Sequence, residues 1–255
     1  MKVLASYAIK GGVGKTSAAV CLAHLAAESG LRTLLWDLDP QGSATYLLRV
    51  KPKVRGGARG LVTGSRELDE AIRASDHERL DLIPSDFRYR GLDLELDGLK
   101  KPTRRLRALL DPLAADYDLV VLDCAPSVSL VSESIVHATD LLVVPLVPAP
   151  LAARSYDQLV SFLEDLSGGG HDGRRVATPG VLPFWSMVDR RKTLHRELIA
   201  TPPGPEFAST VVPSLAAVEA MASVRAPVTA YAPSGAAATA YRGLWREVAR
   251  RLQLG

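Results

Sequence analysis

Along the chain, short runs of almost uninterrupted apolar residues alternate with longer stretches rich in Ala and Leu. Val3 to Ile9, Leu31 to Trp36, Leu119 to Leu122 and Leu141 to Leu146 form the apolar runs. A strand with one wet face alternates polar and apolar side chains, so continuous runs predict strands covered on both faces, as in a parallel sheet. Between the first two lies the Ala-rich stretch Thr16 to Ser29, and Gly30 sits where a helix C-terminal glycine belongs. Strand, helix, strand is a βαβ unit. The predicted fold is therefore α/β, a mostly parallel β-sheet flanked by helices on both faces. From Ala238 to Leu252, Tyr241, Leu244, Trp245, Val248 and Leu252 recur at helical spacing, which predicts a terminal helix docked on the core. Arg49 to Arg66 and Ser167 to Gly173 break the pattern and read as surface loops. No repeat or linker interrupts the chain, so residues 1–255 read as one domain.

Composition narrows the class. A chain of 255 residues buries about three-quarters of its unfolded surface. With 47% hydrophobic and 23% charged residues, a disordered or fibrous chain is excluded. The net charge of +3 gives a weak global field, so an anionic partner has to be held by local patches. The two cysteines, Cys21 and Cys124, do not share Cys-x-x-Cys spacing, which argues against a disulfide scaffold or an ordinary zinc site. The N-terminal residues show no signal-peptide pattern. Leu141 to Ala153 is broken by Pro145, Pro148 and Pro150 and is shorter than the ~20 residues of a membrane span. A cytoplasmic protein without stable membrane insertion is expected.

The strongest chemical signal is Lys10-Gly11-Gly12-Val13-Gly14-Lys15-Thr16, between a predicted strand and a predicted helix. Glycines allow successive backbone N–H groups to turn inward around a phosphate chain, and the helix N-terminus adds its positive dipole end. Lys15 supplies a point charge, and Thr16 offers a hydroxyl to Mg²⁺. Gly11, Gly12, Val13, Gly14, Lys15, Thr16 and Ser17 are thus the candidate nucleotide-binding residues. The usual first glycine of such a loop is replaced by Ile9, and a second lysine, Lys10, is added.

That loop resembles the deviant Walker A ATPases, specifically the ParA/MinD family. Leu35-Trp36-Asp37-Leu38-Asp39-Pro40-Gln41-Gly42 is similar to the family's second signature block. Asp118 to Ser127 resembles its Walker B strand and the switch segment after it, with Ala125 where the family usually has proline. More weakly, Gly180 to Pro183 and Val188 to Leu194 resemble a later block. The resemblance implies ATP and Mg²⁺ as cofactors. It assigns Asp123 to the metal through water, Asp37 to supporting the metal shell, and Asp39 to activating the attacking water. Strand-end carboxylates beside a phosphate loop lie where open α/β sheets bind ligands. Lys10 is implied to reach across a homodimer to the partner's nucleotide, acting on the transferring phosphoryl group as an arginine finger does. Catalytic candidates are therefore Lys10, Lys15 and Asp39, and metal candidates Thr16, Asp37 and Asp123.

Basic clusters offer a surface for phosphate backbones: Arg49, Lys51, Lys53, Arg55, Arg59 and Arg66; Lys100, Lys101, Arg104, Arg105 and Arg107; Arg190, Arg191, Lys192 and Arg196. Such contacts give sequence-independent, salt-sensitive DNA affinity. The resemblance points to Arg191, with Arg190, Lys192 and Arg225 beside it. A second family arginine expected near Pro213 is replaced by Ala217, so that the usual DNA surface is either partly absent or shifted to Arg225, Arg242, Arg246 or Arg250. The phosphate loop starts too early for a preceding helix-turn-helix domain. The resemblance thus implies a ParA-like ATPase that coats nucleoid DNA non-specifically as an ATP dimer. A cargo-bound partner protein would stimulate hydrolysis, positioning a plasmid, chromosome origin or protein compartment. The alternatives are a MinD-like membrane switch, which needs a free C-terminal amphipathic helix, and a metabolic enzyme sharing the deviant loop. An iron–sulfur bridge through the cysteines is disfavoured because Cys21 falls in an apolar helix.

Overall fold

The computed structural model describes residues 1–52, 54, 60–61, 63, 67–169, 177–204 and 206–254. Its strands are β1 (Lys2–Ser6), β2 (Thr33–Asp37), β3 (Arg73–Ala74), β4 (Leu80–Ile83), β5 (Leu119–Asp123), β6 (Leu141–Leu146) and β7 (Gly180–Trp185). They form one sheet of seven strands in the order β3-β4-β2-β5-β1-β6-β7. Every pairing is parallel except that of β3 with β4. The fold is the doubly covered α/β sheet that the apolar runs predict.

The helices are α1 (Lys15–Glu28), α2 (Ser43–Leu47), α3 (Leu92–Asp97), α4 (Arg105–Leu110), α5 (Leu130–Ala138), α6 (Ala152–Gly168), α7 (Thr193–Ala200), α8 (Ala216–Glu219), α9 (Met221–Val224), α10 (Val228–Tyr231) and α11 (Ala236–Leu252). Successive side chains of a strand point to opposite faces, so the sheet divides the interior into two cores. Val3, Ala5, Trp36, Val120 and Leu122 pack on one side with the buried faces of α3, α4, α5 and α6. Leu4, Leu35, Val121, Val143 and Phe184 pack on the other with α1, α2 and α11. This explains why the strand sequences lack alternation.

Helix α1 carries Ala at four of the eight buried positions from Ala18 to Ala26, and this lets it lie close on the sheet. It ends at Glu28, and Gly30 follows with φ 97°, a left-handed conformation that costs glycine nothing. Tyr241, Leu244, Trp245, Val248 and Leu252 of α11 are all buried, and the helix packs on α1.

Several boundaries differ from the sequence expectation. Strand β1 ends at Ser6 because the chain leaves the sheet into the phosphate loop, although apolar residues continue to Ile9. Helix α6 runs through Ser167 to Gly168, so the loop predicted from Ser167 begins later; residues 170–173 lie outside the described residues. In the basic stretch 49–66, Val54 and Leu61 are core residues, which corrects the reading of a purely surface loop. Lys53, Arg55, Arg59 and Arg66 lie outside the described residues.

Leu244 is fully buried at the α11–α1 contact. Leu244→Ala should lower unfolding free energy by about 2–5 kcal/mol, the usual cost of removing a buried leucine side chain, read as a lower midpoint in urea denaturation.

Candidate functional site

The site lies at the C-terminal edge of β1, β5 and β2, three adjacent strands. Register sets Ser6 opposite Asp123 and Asp123 opposite Asp37, so one row of polar residues crosses the centre of the sheet. All three are buried. From Ser6 the chain turns into the loop Tyr7 to Gly14, and the Ser6 hydroxyl donates to the Lys15 carbonyl at 2.9 Å, tying the end of β1 to the first turn of α1.

Gly14 has φ 98°, and a Cβ there would stand 2.8 Å from Ser186 Oγ; both the conformation and the contact require glycine. Lys10, Gly11 and Gly12 are exposed, Val13 is buried, and Thr16 and Ser17 are half-buried. The first turn of α1 contains no acidic residue, so its positive end is left for an external anion. Lys15 is buried and its ammonium donates to the Lys10 carbonyl at 3.4 Å. Burial lowers its pKa, against the opposing pull of Asp123 and Asp39.

The three carboxylates have distinct surroundings. Asp123 is wholly enclosed, and neither of its oxygens accepts a hydrogen bond from the described residues. Burial raises its pKa well above the carboxylate range, followed by repulsion from Asp37; the nearby Thr16 hydroxyl and Lys15 act in the other direction. An enclosed carboxylate without a partner is costly. Beside a threonine hydroxyl and a phosphate loop, it has the donor chemistry of a hydrated hard cation, and Thr16 and Asp123 therefore fit Mg²⁺.

Asp37, expected to support the metal shell, is hydrogen-bonded to its own stretch of chain. Its Oδ2 accepts from the Thr45 amide at 2.8 Å and the Thr45 hydroxyl at 2.6 Å, and its Oδ1 accepts from the Asp39 amide at 3.3 Å. The carboxylate thus helps to hold α2 and the Asp39 loop in place. Burial still pushes its pKa up to about 6 despite those bonds. Asp39 is half-buried, with Oδ1 accepting from the Gln41 amide at 2.9 Å.

The switch segment after Asp123 is anchored from the opposite side of the loop. The Tyr7 hydroxyl donates to the Ser127 carbonyl at 2.5 Å, and Pro126 lies against Gly11. Ala125 itself is half-buried. Tyr7, Ser186, Thr45 and Ser85 are site residues that sequence reasoning missed. The rule that ligands gather at strand ends points to Ser85 once β4 is recognised. Cys21 and Cys124 are buried, and burial pushes both thiols up, Cys21 to about 12. Both stay protonated, as core cysteines do.

Among the described basic candidates, Arg191, Arg225 and Arg242 are engaged in separate local contacts. Arg190, Arg191 and Lys192 are exposed on the turn before α7. Arg191, whose side chain is 91% exposed, is held by Asp189 through paired bonds at 2.9 Å. An exposed pair of this kind contributes only ~0–1 kcal/mol, so a phosphate can displace it. Arg225 lies elsewhere, clasped to α2. Its guanidinium donates to the Tyr46 carbonyl and lies 4.5 Å over the Tyr46 ring, while Arg49 donates to the Arg225 and Val224 carbonyls. Ala217, at the expected second arginine, has its carbonyl bonded by the Tyr231 hydroxyl. Among Arg242, Arg246 and Arg250, Arg242 donates to the Pro233 carbonyl at 2.6 Å.

A glycine-rich loop between β1 and α1, its two lysines, and a carboxylate at the end of the neighbouring strand define a P-loop nucleotide-binding protein with the deviant Walker A arrangement. Residues 1–169 match the AAA domain family, and the chain belongs to the ParA/MinD family of P-loop ATPases. It is 31% identical over 257 residues to the chromosome partitioning protein ParA of Caulobacter vibrioides, covering 98% of this chain and 95% of that protein. It is 30% identical over 252 residues to the sporulation initiation inhibitor protein Soj of Bacillus subtilis, covering 97% and 98%. A structure of cobyrinic acid a,c-diamide synthase from Mycobacterium smegmatis, with bound ATP analogue and magnesium, superposes with a TM-score of 0.81 at 25% identity, over 100% of this chain and 96% of that one.

Because the folded chain holds the Asp123 proton more tightly than the unfolded chain, stability is full below the unfolded pKa of about 3.9. It falls as pH rises through the elevated folded value. Asp123→Asn should therefore stabilise the nucleotide-free protein at pH 8, by on the order of 1–3 kcal/mol. It should also abolish stabilisation by added Mg²⁺ with nucleotide. Thermal melts across pH, with chelator or with Mg²⁺ and ADP, check both.

Proposed function

We propose that this protein is a Mg²⁺-dependent ATPase that dimerises around ATP, binds double-stranded DNA non-specifically in that state and positions or segregates a cargo. A cargo-bound partner protein stimulates hydrolysis and so sets where the dimer comes apart. The observation that carries the reading is the enclosed, unpartnered Asp123 beside Thr16, at the foot of a phosphate loop bearing one buried lysine and one exposed lysine. The names of the full-length relatives, ParA and Soj, support partitioning as the process served.

The chain's own residues divide the work. Loop amides from Gly11 to Gly14 and the first amides of α1 cradle the phosphates, and Lys15 adds a charge from within. Thr16 and Asp123 would hold Mg²⁺, which when bound would supply positive charge against that building on the phosphates. Asp39, half-buried beside the phosphate loop, orients the attacking water. Lys10 is exposed and its carbonyl, not its ammonium, is engaged by Lys15; its side chain is free to extend to the nucleotide of a second copy. The phosphoryl-transfer step gains most from charges that are already in place when the transition state forms.

DNA affinity then follows from dimerisation, which doubles the weak phosphate contacts of exposed residues such as Arg190, Arg191 and Lys192 without a new site. On this reading the protein resides in the cytoplasm on the nucleoid. Nothing favours the membrane alternative: the apolar face of α11 is buried against the core, and among the described residues no helix is long and apolar enough to cross a membrane.

Binding to random-sequence duplex should be tight with ATP, weak with ADP or without nucleotide, and should weaken steeply with salt. Lys10→Ala should keep ADP binding, remain monomeric with ATP by light scattering, and lose about 10²-fold in ATP-dependent DNA affinity. Equal DNA affinity in all nucleotide states, or ATP dimers that ignore DNA at low salt, would overturn the nucleoid reading.

A further inference from the structure

Four residues near the site close a ring of hydrogen bonds. The Ser85 hydroxyl donates to the Asp39 carbonyl at 2.5 Å. The Asp39 amide donates to Asp37 Oδ1 at 3.3 Å, and Asp37 Oδ2 accepts from the Thr45 hydroxyl at 2.6 Å. Thr45 Oγ1 in turn accepts from the Ser85 amide at 2.8 Å. Ser85, Asp37 and Thr45 are buried. Each hydroxyl has its direction set: the carbonyl can only accept the Ser85 proton, and the incoming Ser85 amide leaves the Thr45 proton for Asp37.

The members differ in where they come from. Asp37, Asp39 and Thr45 belong to one stretch of chain running from β2 into α2. The other bonds to Asp39, from the Gln41 and Gly42 amides, belong to the same stretch. Those local bonds shape the turn, and the Leu38 amide, which donates to the Asp123 carbonyl at 2.9 Å, fixes its start to β5; neither holds the Asp39 carbonyl from another strand. Ser85 alone reaches in from a different strand, just after β4, which pairs with β2 in the sheet.

We propose that Ser85 is a positioning residue for hydrolysis: it ties the Asp39 turn to β4 and so fixes the distance from Asp39 to the attacking water. This rests on Asp39 being the water-orienting carboxylate. Ser85 touches neither substrate nor cation, and its effect passes through the Asp39 backbone. A misplacement of about 1 Å in a reacting group is enough to cost up to ~10²-fold in rate.

Single-turnover ATP hydrolysis by the full-length protein tests the assignment. Ser85→Ala should lower the rate about tenfold while KM, ADP affinity and melting temperature stay near wild type; Ser85→Thr, which restores the hydroxyl, should recover most of the rate. In an Asp39→Ala background, adding Ser85→Ala should change nothing further. A wild-type rate for Ser85→Ala would overturn the proposal, as would an equal tenfold loss on top of Asp39→Ala, which would mean that Ser85 acts elsewhere. If Asp39→Ala by itself hydrolysed ATP at the wild-type rate, the functional reading of Asp39 would fall, and Ser85's role with it.

Discussion

The Asp123 carboxylate is the constraint around which the rest of the site is arranged. Enclosing an ionised carboxylate without a hydrogen-bond partner costs several kcal/mol, a large share of the roughly 5–15 kcal/mol by which a domain is stable. Its cross-strand neighbour in register is another carboxylate, Asp37, which raises the cost. The residues that lower it, Lys15 and Thr16, come from the first turn of α1, held there by the Ser6 hydroxyl. The two cores on either face of the sheet supply the stability that tolerates this arrangement. A fold optimised only for stability would not place three carboxyl groups at the ends of two adjoining strands.

Environment separates the acids. Asp123 is dry and unpartnered, Asp37 is dry but fully hydrogen-bonded, and Asp39 is partly open to solvent. Different surroundings are how one residue type is given different tasks. Here they separate one enclosed carboxylate, one hydrogen-bonded carboxylate and one partly open to solvent. Asp37 shows how one carboxylate can also shape the backbone: its oxygens receive the Thr45 amide and hydroxyl protons and the Asp39 amide proton.

Much of this was legible in the sequence because its determinants are local. The phosphate loop needs glycines at fixed offsets, and the apolar strands leave no alternation to misread, so β1, α1, β6, the loop residues and the docked helix α11 all lie close to where they were expected. What escaped depends on residues far apart in the chain. Strand β4 has only four residues and carries Asp81, so its pattern is weak, and Ser85 stayed hidden with it. Val54 and Leu61 sit within a basic stretch whose composition suggests surface. Arg225 looked like a free cation, yet its clasp to Tyr46 and Arg49 spans some 176 to 179 positions.

Strand order also has a consequence for synthesis. β1 and β2 do not touch; each pairs with β5, which inserts between them. As the chain emerges from the ribosome, the phosphate loop is therefore made early but has no sheet to stand on until Asp123 appears, roughly 6–23 s later at the usual ~5–20 residues per second. During that interval β1 waits with both edges unpaired and β2 with the edge that β5 will cover, the condition in which nascent chains aggregate. The nucleotide site stays incomplete for the same interval, since Asp123 has yet to be translated even though the loop residues, Asp37 and Asp39 are already made.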